Sequence, residues 1–169
     1  MVRLDAILNS WKTIRDDTAQ AVEEFPSQSF DYKPSADLMT FGEIGRHILE
    51  ASHALIGLLL DGVDNMATPE FRAMMGKYLA ELPKTEGPGP LAQELRDRLA
   101  SDFALLSKQP AEFFDTEITR FDGQRVSRLE MLQGVKEHEL THRSQLFMYL
   151  RLNGIVPPTT RRRQAKAKA

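Results

Sequence analysis

The 169 residues include no cysteine. That excludes a disulfide framework, a thiolate-ligated metal and a cysteine nucleophile, so any metal held here must be held by His, Asp or Glu. Absence of disulfides fits a cytoplasmic location. Long apolar runs are missing too: the longest, Ala54 to Leu60, is far too short to span a bilayer. The N-terminus shows no secretory-signal pattern. A strong charge of one sign is also lacking, since the net charge is −2. The charge is unevenly spread, however, with Arg161, Arg162, Arg163, Lys166 and Lys168 forming a basic tail on an acidic body. Such a tail can touch nucleic acid or an acidic partner. It has no aromatic on which a base could stack, so a solvated, disordered end over 159–169 is expected, and nucleic-acid binding is the weaker alternative.

What the chain does have is helical periodicity, with 41% hydrophobic and 27% charged residues, in the range of a soluble domain. In a first segment Leu4, Leu8, Trp11, Ile14 (or Arg15), Thr18, Val22 and Phe25 follow three- and four-residue steps until Pro26. A second opens with the capping box Thr40-Phe41-Gly42-Glu43 and continues through Ile44, His47, Ala51, Ala54 and Leu58 to about Leu60. A third starts near Gly89-Pro90 and runs through Leu91, Leu95, Leu99, Phe103 and Leu106 to Pro110. The fourth begins at a second capping box, Ser127-Arg128-Leu129-Glu130, and ends at Asn153-Gly154. The long connection between the second and third predicts a short helix over 68–82, then a Gly/Pro-rich linker. Residues 114–125 read as an extended excursion with a hairpin turn at Asp122-Gly123. These elements predict an all-α fold over 1–158: a four-helix bundle with a long crossover between helices 2 and 3 and a short extended excursion before helix 4.

Polar residues interrupt the fourth helix. Met131, Val135, His138, His142, Gln145, Tyr149 and Leu152 form a heptad stripe expected to face the bundle interior, apolar at its ends and polar in its middle. A single buried histidine is more often a hydrogen-bonded core residue than a ligand. Two in succession would each need a buried partner, whereas one metal ion satisfies both. His138-Glu139-Leu140-Thr141-His142 also spells the zinc-protease signature. In the extended form of that motif a glycine would fall at Gln145 and a third histidine at Met148, and no His, Asp or Glu follows His142. The protease reading therefore fails.

His47, on the inward stripe of the second helix, is the candidate third ligand. His53 lies six residues on and cannot share that face, so it reads as a surface or helix-contact residue. Three imidazoles leave an open coordination position, the arrangement of a catalytic rather than a closed structural site. Glu139 reads first as a structural residue, supporting the ligands or in an ion pair with an arginine such as Arg46 or Arg143, and it is also the sequence's candidate catalytic base. Glu43 and Glu50 flank His47 at one turn on either side and are candidates to orient its ring. The third helix and the 61–86 connection are expected to line the pocket.

With Thr40-Phe41-Gly42-Glu43-Ile44-Gly45-Arg46-His47-Ile48, Asp122-Gly123-Gln124, His138 to Leu146 and Tyr149 to Gly154 in view, the chain resembles the DinB/YfiT-like family of small bacterial four-helix bundles. The likeness implies a bundle with a long crossover after the second helix, often dimeric, so a homodimer is expected. It implies a three-histidine site mapping onto His47, His138 and His142, with nickel or zinc as the divalent ion and iron or manganese as further options. Relatives commonly carry Gly after the His-Arg pair, where this chain has Ser144. Some relatives are thiol S-transferases and others resemble hydrolases or isomerases, so fold alone does not choose a reaction.

The leading expectation is a metal-dependent enzyme acting on a small molecule, as a thiol S-transferase using a low-molecular-weight thiol or as a hydrolase. The alternative is a non-catalytic, metal-stabilised stress-response or binding protein, whose ion raises stability by mass action.

Overall fold

The computed structural model describes residues 3–167. The first helix, α1, spans Leu4–Glu23 and buries Ile7, Trp11, Ile14, Arg15, Thr18 and Val22. The second, α2, spans Phe41–Leu60. Its capping box is formed: the Glu43 amide donates to Thr40 Oγ1 at 3.1 Å, and the Thr40 amide donates to Glu43 Oε2 at 2.7 Å. A short α3 covers Phe71–Leu79, narrower than the predicted 68–82, and α4 covers Pro88–Leu106. A five-residue α5, Ala111–Asp115, leads into strands β1, Glu117–Thr119, and β2, Arg125–Ser127. The longest helix, α6, is Arg128–Leu152 and starts at the Ser127/Glu130 capping box.

The chain is all-α apart from this hairpin. α1 packs along α4 and α6, and α2 packs along the same two, so α1 and α2 stand on opposite corners of a four-helix bundle. The crossover folds α3 onto α2, where the Tyr78 ring lies so close over Gly57 that a Cβ there would collide with it. The hairpin pairs Glu117 with Ser127, Ile118 with Val126 and Thr119 with Arg125. It turns at Asp122-Gly123, with Gly123 at φ +83°, a conformation that glycine adopts without strain. Backbone bonds tie it to the crossover: the Met66 amide donates to the Thr119 carbonyl at 2.8 Å and the Thr119 amide to the Asp64 carbonyl at 2.7 Å.

The expected disordered end is corrected within the described residues. A seventh helix, α7, spans Pro158–Lys166, with Lys168 and Ala169 outside the description. Its order has an electrostatic cause. Arg161 pairs with Glu24 and Arg162 with Asp17, so acidic side chains of α1 and of the residue that ends it hold the basic segment.

Two apolar clusters fill the bundle. One gathers around Trp11, Leu58, Leu99, Met131 and Val135, the other around Phe25, Phe41, Ile44, Leu95 and Leu146. Between them lies a polar layer to which each long helix contributes. Arg15 of α1 donates from Nε to Glu139 Oε1 of α6 at 2.9 Å and from Nη2 to Oε2 at 2.8 Å. Its Nη1 donates to the Leu95 carbonyl of α4 at 2.9 Å, and its Nη2 also reaches Ser52 Oγ of α2 at 2.9 Å. The Trp11 indole N–H donates to Glu139 Oε2 at 2.6 Å. Both charged side chains are 1% exposed, and such a pair is tolerable only because every charge is matched.

Removing one partner should be costly. Glu139→Leu is expected to lose about 3–5 kcal/mol in urea denaturation, because it leaves Arg15 buried and unpaired. The double change Arg15→Met with Glu139→Leu should recover part of that loss. A near-neutral single substitution would contradict the role assigned to the pair.

Candidate metal centre

α2 brings His47, and α6 brings His138 and His142, to one groove between the two helices. Nε2 of His138 lies 3.1 Å from Nε2 of His47 and 3.1 Å from Nε2 of His142. One ligand atom from each of the three rings lies within 4.8 Å of the others, and all three rings are half-buried. Hydrogen bonding alone does not account for this convergence. An imidazole nitrogen carries either one proton or one lone pair, so a single Nε2 cannot serve two such neighbours. Three lone pairs directed at a shared cation resolve the conflict, and the two 3.1 Å separations are of the size found between imidazole nitrogens that each bind one ion at about 2.0–2.1 Å.

The tautomer of His142 fits that picture. Gln145 Oε1 accepts from His142 Nδ1 at 2.8 Å, which leaves the Nε2 lone pair facing the cluster. Electrostatics also favour the neutral form of His138 and His47. Burial, then His142 and His47, push His138 down to about 4, against the opposing pull of Glu139. Burial first and His142 second lower His47, with Glu50 opposing.

Several sequence expectations are corrected at this site. The heptad stripe of α6 does not face the bundle centre along its whole length: Gln145 and Leu152 are exposed, and Glu139 takes the central position. Once Glu139 points inward, His138 and His142 are rotated to the α2 side. Glu139 is accordingly not available as a base. Its oxygens accept from Arg15 and Trp11 inside the core, and its ion-pair partner is Arg15 rather than Arg46 or Arg143. Arg143 pairs with Asp17. Glu43 caps α2 and Glu50 pairs with Arg46 at 2.7 Å, so neither is hydrogen-bonded to His47. His53 is a helix-contact residue but not a surface one. At 6% exposure, its Nδ1 lies 3.2 Å from both Asp102 oxygens on α4.

The pocket walls also differ from expectation. A polar cleft of about 510 Å³ opens beside His47, lined by Lys33, Asp37, Glu43, Arg46 and Glu50 among others. A smaller apolar cavity touches His138, between Leu55 of α2, Met131 and Val135 of α6, and the hairpin loop. The 26–40 connection and the hairpin therefore line these two cavities, and no residue of α4 or of 61–86 is in direct contact with either. Sequence reading missed Arg15 as the partner of Glu139. Its signal was present, since the step after Trp11 falls on Ile14 or Arg15.

A family model described as the DinB family matches residues 1–168. The uncharacterized protein YjoA of Bacillus subtilis (strain 168) is 26% identical over 156 residues, covering 91% of this chain and 93% of that protein. The crystal structure of that DinB-like protein superposes with a TM-score of 0.68 at 24% identity, covering 88% of this chain and 92% of the other. A DinB-like protein from Bacillus cereus ATCC 10987 gives 0.69 at 18% identity, covering 92% and 95%. At these identities the two structures establish the shared fold.

The lowered histidines predict an acid response of the metal-free protein. Between the ordinary value of 6.5 and about 4, the unfolded chain binds a proton at position 138 that the folded chain refuses. Stability is thus intact above pH 6.5 and should fall as the pH drops toward 4, as read by thermal melts. His138→Gln should flatten that decline, and an unchanged slope would count against the buried, neutral ring.

Proposed function

We propose, on the premise that the chain belongs to the DinB family, that His47, His138 and His142 hold one divalent cation in a metal-dependent enzyme acting on a small molecule. The observation that carries this reading is the double 3.1 Å approach to His138 Nε2, which a shared cation satisfies and two hydrogen bonds cannot. Nitrogen donors without thiolates suit zinc or nickel, with iron or manganese also compatible. A cation bound there supplies Lewis acidity and lowers the pKa of a hydroxyl or thiol brought to it.

The chain's own residues supply position and exclusion. All three ligands stand on long helices, fixed by the polar layer behind them, so the site is built before any ligand arrives. Among the described residues only these three cluster as metal ligands, which leaves coordination positions for a substrate. That feature, with a cleft on either side, favours catalysis over a closed structural role. Transfer and hydrolysis both fit this arrangement. For transfer, the thiol must come as a co-substrate, since the chain contains no cysteine.

Elemental analysis of untagged wild type beside His47→Ala and His138→Ala tests the cation. About one ion per chain is expected in the wild type, with a loss of at least tenfold in affinity in either variant. Turnover of thiol-transfer or ester substrates should vanish on chelation and return with added metal. A rate indifferent to metal would exclude the enzymatic reading, and an ion-free wild type that rejects added zinc and nickel would exclude the site.

A further inference from the structure

We propose that the apolar cavity beside His138 receives a short aliphatic group of the substrate, and that Gly134 sets its depth. The inference rests on the reading of the three histidines as a cation site.

The cavity measures about 90 Å³. It is lined by the buried Leu55, Met131 and Val135, by Gly134 and His138 of α6, and by Arg120 and the exposed Phe121 of the hairpin loop. The loop is held firmly. Phe121 stacks on Phe71 of α3 with ring centroids 5.7 Å apart, and Arg120 donates to Asp122 at 2.9 Å and to Gln124 at 3.1 Å. Strand β1 is itself bonded to the crossover at Asp64 and Met66. An aromatic ring left 52% exposed is thus fixed beside an apolar hollow that His138 also lines.

Gly134 is the second observation. It sits inside α6, one turn before His138 on the same face, where glycine costs roughly 1 kcal/mol relative to alanine. Neither usual reason for a glycine applies. Its φ is not positive, and a Cβ at this position would meet nothing within 4 Å. What the missing side chain leaves is open space in the cavity. A local choice that weakens the helix without a structural gain is the mark of a functional position.

Size and charge define the occupant. A cavity on the order of 150 Å³ accommodates benzene, so this smaller one suits a short straight or branched aliphatic chain. Its single charged wall residue, Arg120, is already paired with Asp122, which disfavours an anionic group. The polar part of the same molecule would lie toward His47, where Lys33 and Arg46 line the opposite cleft.

The test uses the zinc-loaded full chain and two probes with one metal-binding head, acetohydroxamate and butyrohydroxamate, titrated by calorimetry. Wild type should bind the longer probe more tightly by about fourfold per buried methylene. Gly134→Leu should keep its zinc content and lose that dependence on length. Gly134→Ala, which favours the helix, controls for folding and should reduce the dependence only partly. A second arm uses metal-free protein with ¹³C-labelled methionine methyls. Isobutanol should shift the Met131 signal in wild type and leave it unmoved in Gly134→Leu. A Met131 response without zinc uptake would sustain the cavity and overturn the cation reading. Normal zinc uptake, equal affinities for both probes and no Met131 response would overturn the subsite.

Discussion

The ion pair between Arg15 and Glu139 sits where the four long helices meet, and much of the remaining structure answers to it. A guanidinium and a carboxylate this deeply buried need a hydrogen-bond partner at every nitrogen and oxygen. The bundle meets this need with one group per helix: the Trp11 indole beside Arg15 on α1, the Ser52 hydroxyl on α2, the Leu95 carbonyl on α4, and Glu139 itself on α6. The apolar core is thereby divided into an upper and a lower cluster, and the helices are pinned in both rotation and height. Because successive residues of a helix point about 100° apart, fixing Glu139 inward determines where His138 must look. The pair is buried structure, but it aims the ligands.

The histidine cluster borrows rigidity from this arrangement. Its members come from helices rather than loops, so their spacing is not at the mercy of a mobile segment. Burial and crowding disfavour protonation of His138 and His47, and Gln145 holds His142 in the tautomer that presents Nε2. A nitrogen trio of this kind is unfavourable by itself, because neighbouring lone pairs repel and their protons conflict. That conflict is the physical reason to read the cluster as a receptor for a cation rather than as a hydrogen-bonded knot in the core.

Around the cluster the two sides differ. Toward His47 the walls are charged and come from the 26–40 connection. Toward His138 they are mostly apolar and come from the hairpin loop, from Leu55, Met131 and Val135 of the core, and from Gly134. The DinB family fold supplies the bundle, this chain's α2 and α6 carry the histidines, and function is set by sites placed on such a common frame. The asymmetry suits a small amphiphilic molecule lying across the centre.

The sequence determined the parts that depend on local periodicity and end chemistry. The four helices, both capping boxes, the turn at Asp122-Gly123 and the candidate trio His47, His138 and His142 are all readable from spacing, because a helix fixes which residues share a face. The outcomes that remained open were those set by contacts between distant segments. Glu139 has several charged residues within plausible reach, and only the packing of α1 against α6 selects Arg15. His53 is carried by a helix with two buried faces, so burial against Asp102 is decided by α4. Five positive charges at the C-terminus read as a solvated tail until Asp17 of α1 and Glu24 just beyond it meet the start of it. Periodicity says which side of a helix is inward; which charge meets which, and what surrounds the open face of the histidines, are decided by tertiary structure alone, because those energies depend on distances that no single element contains.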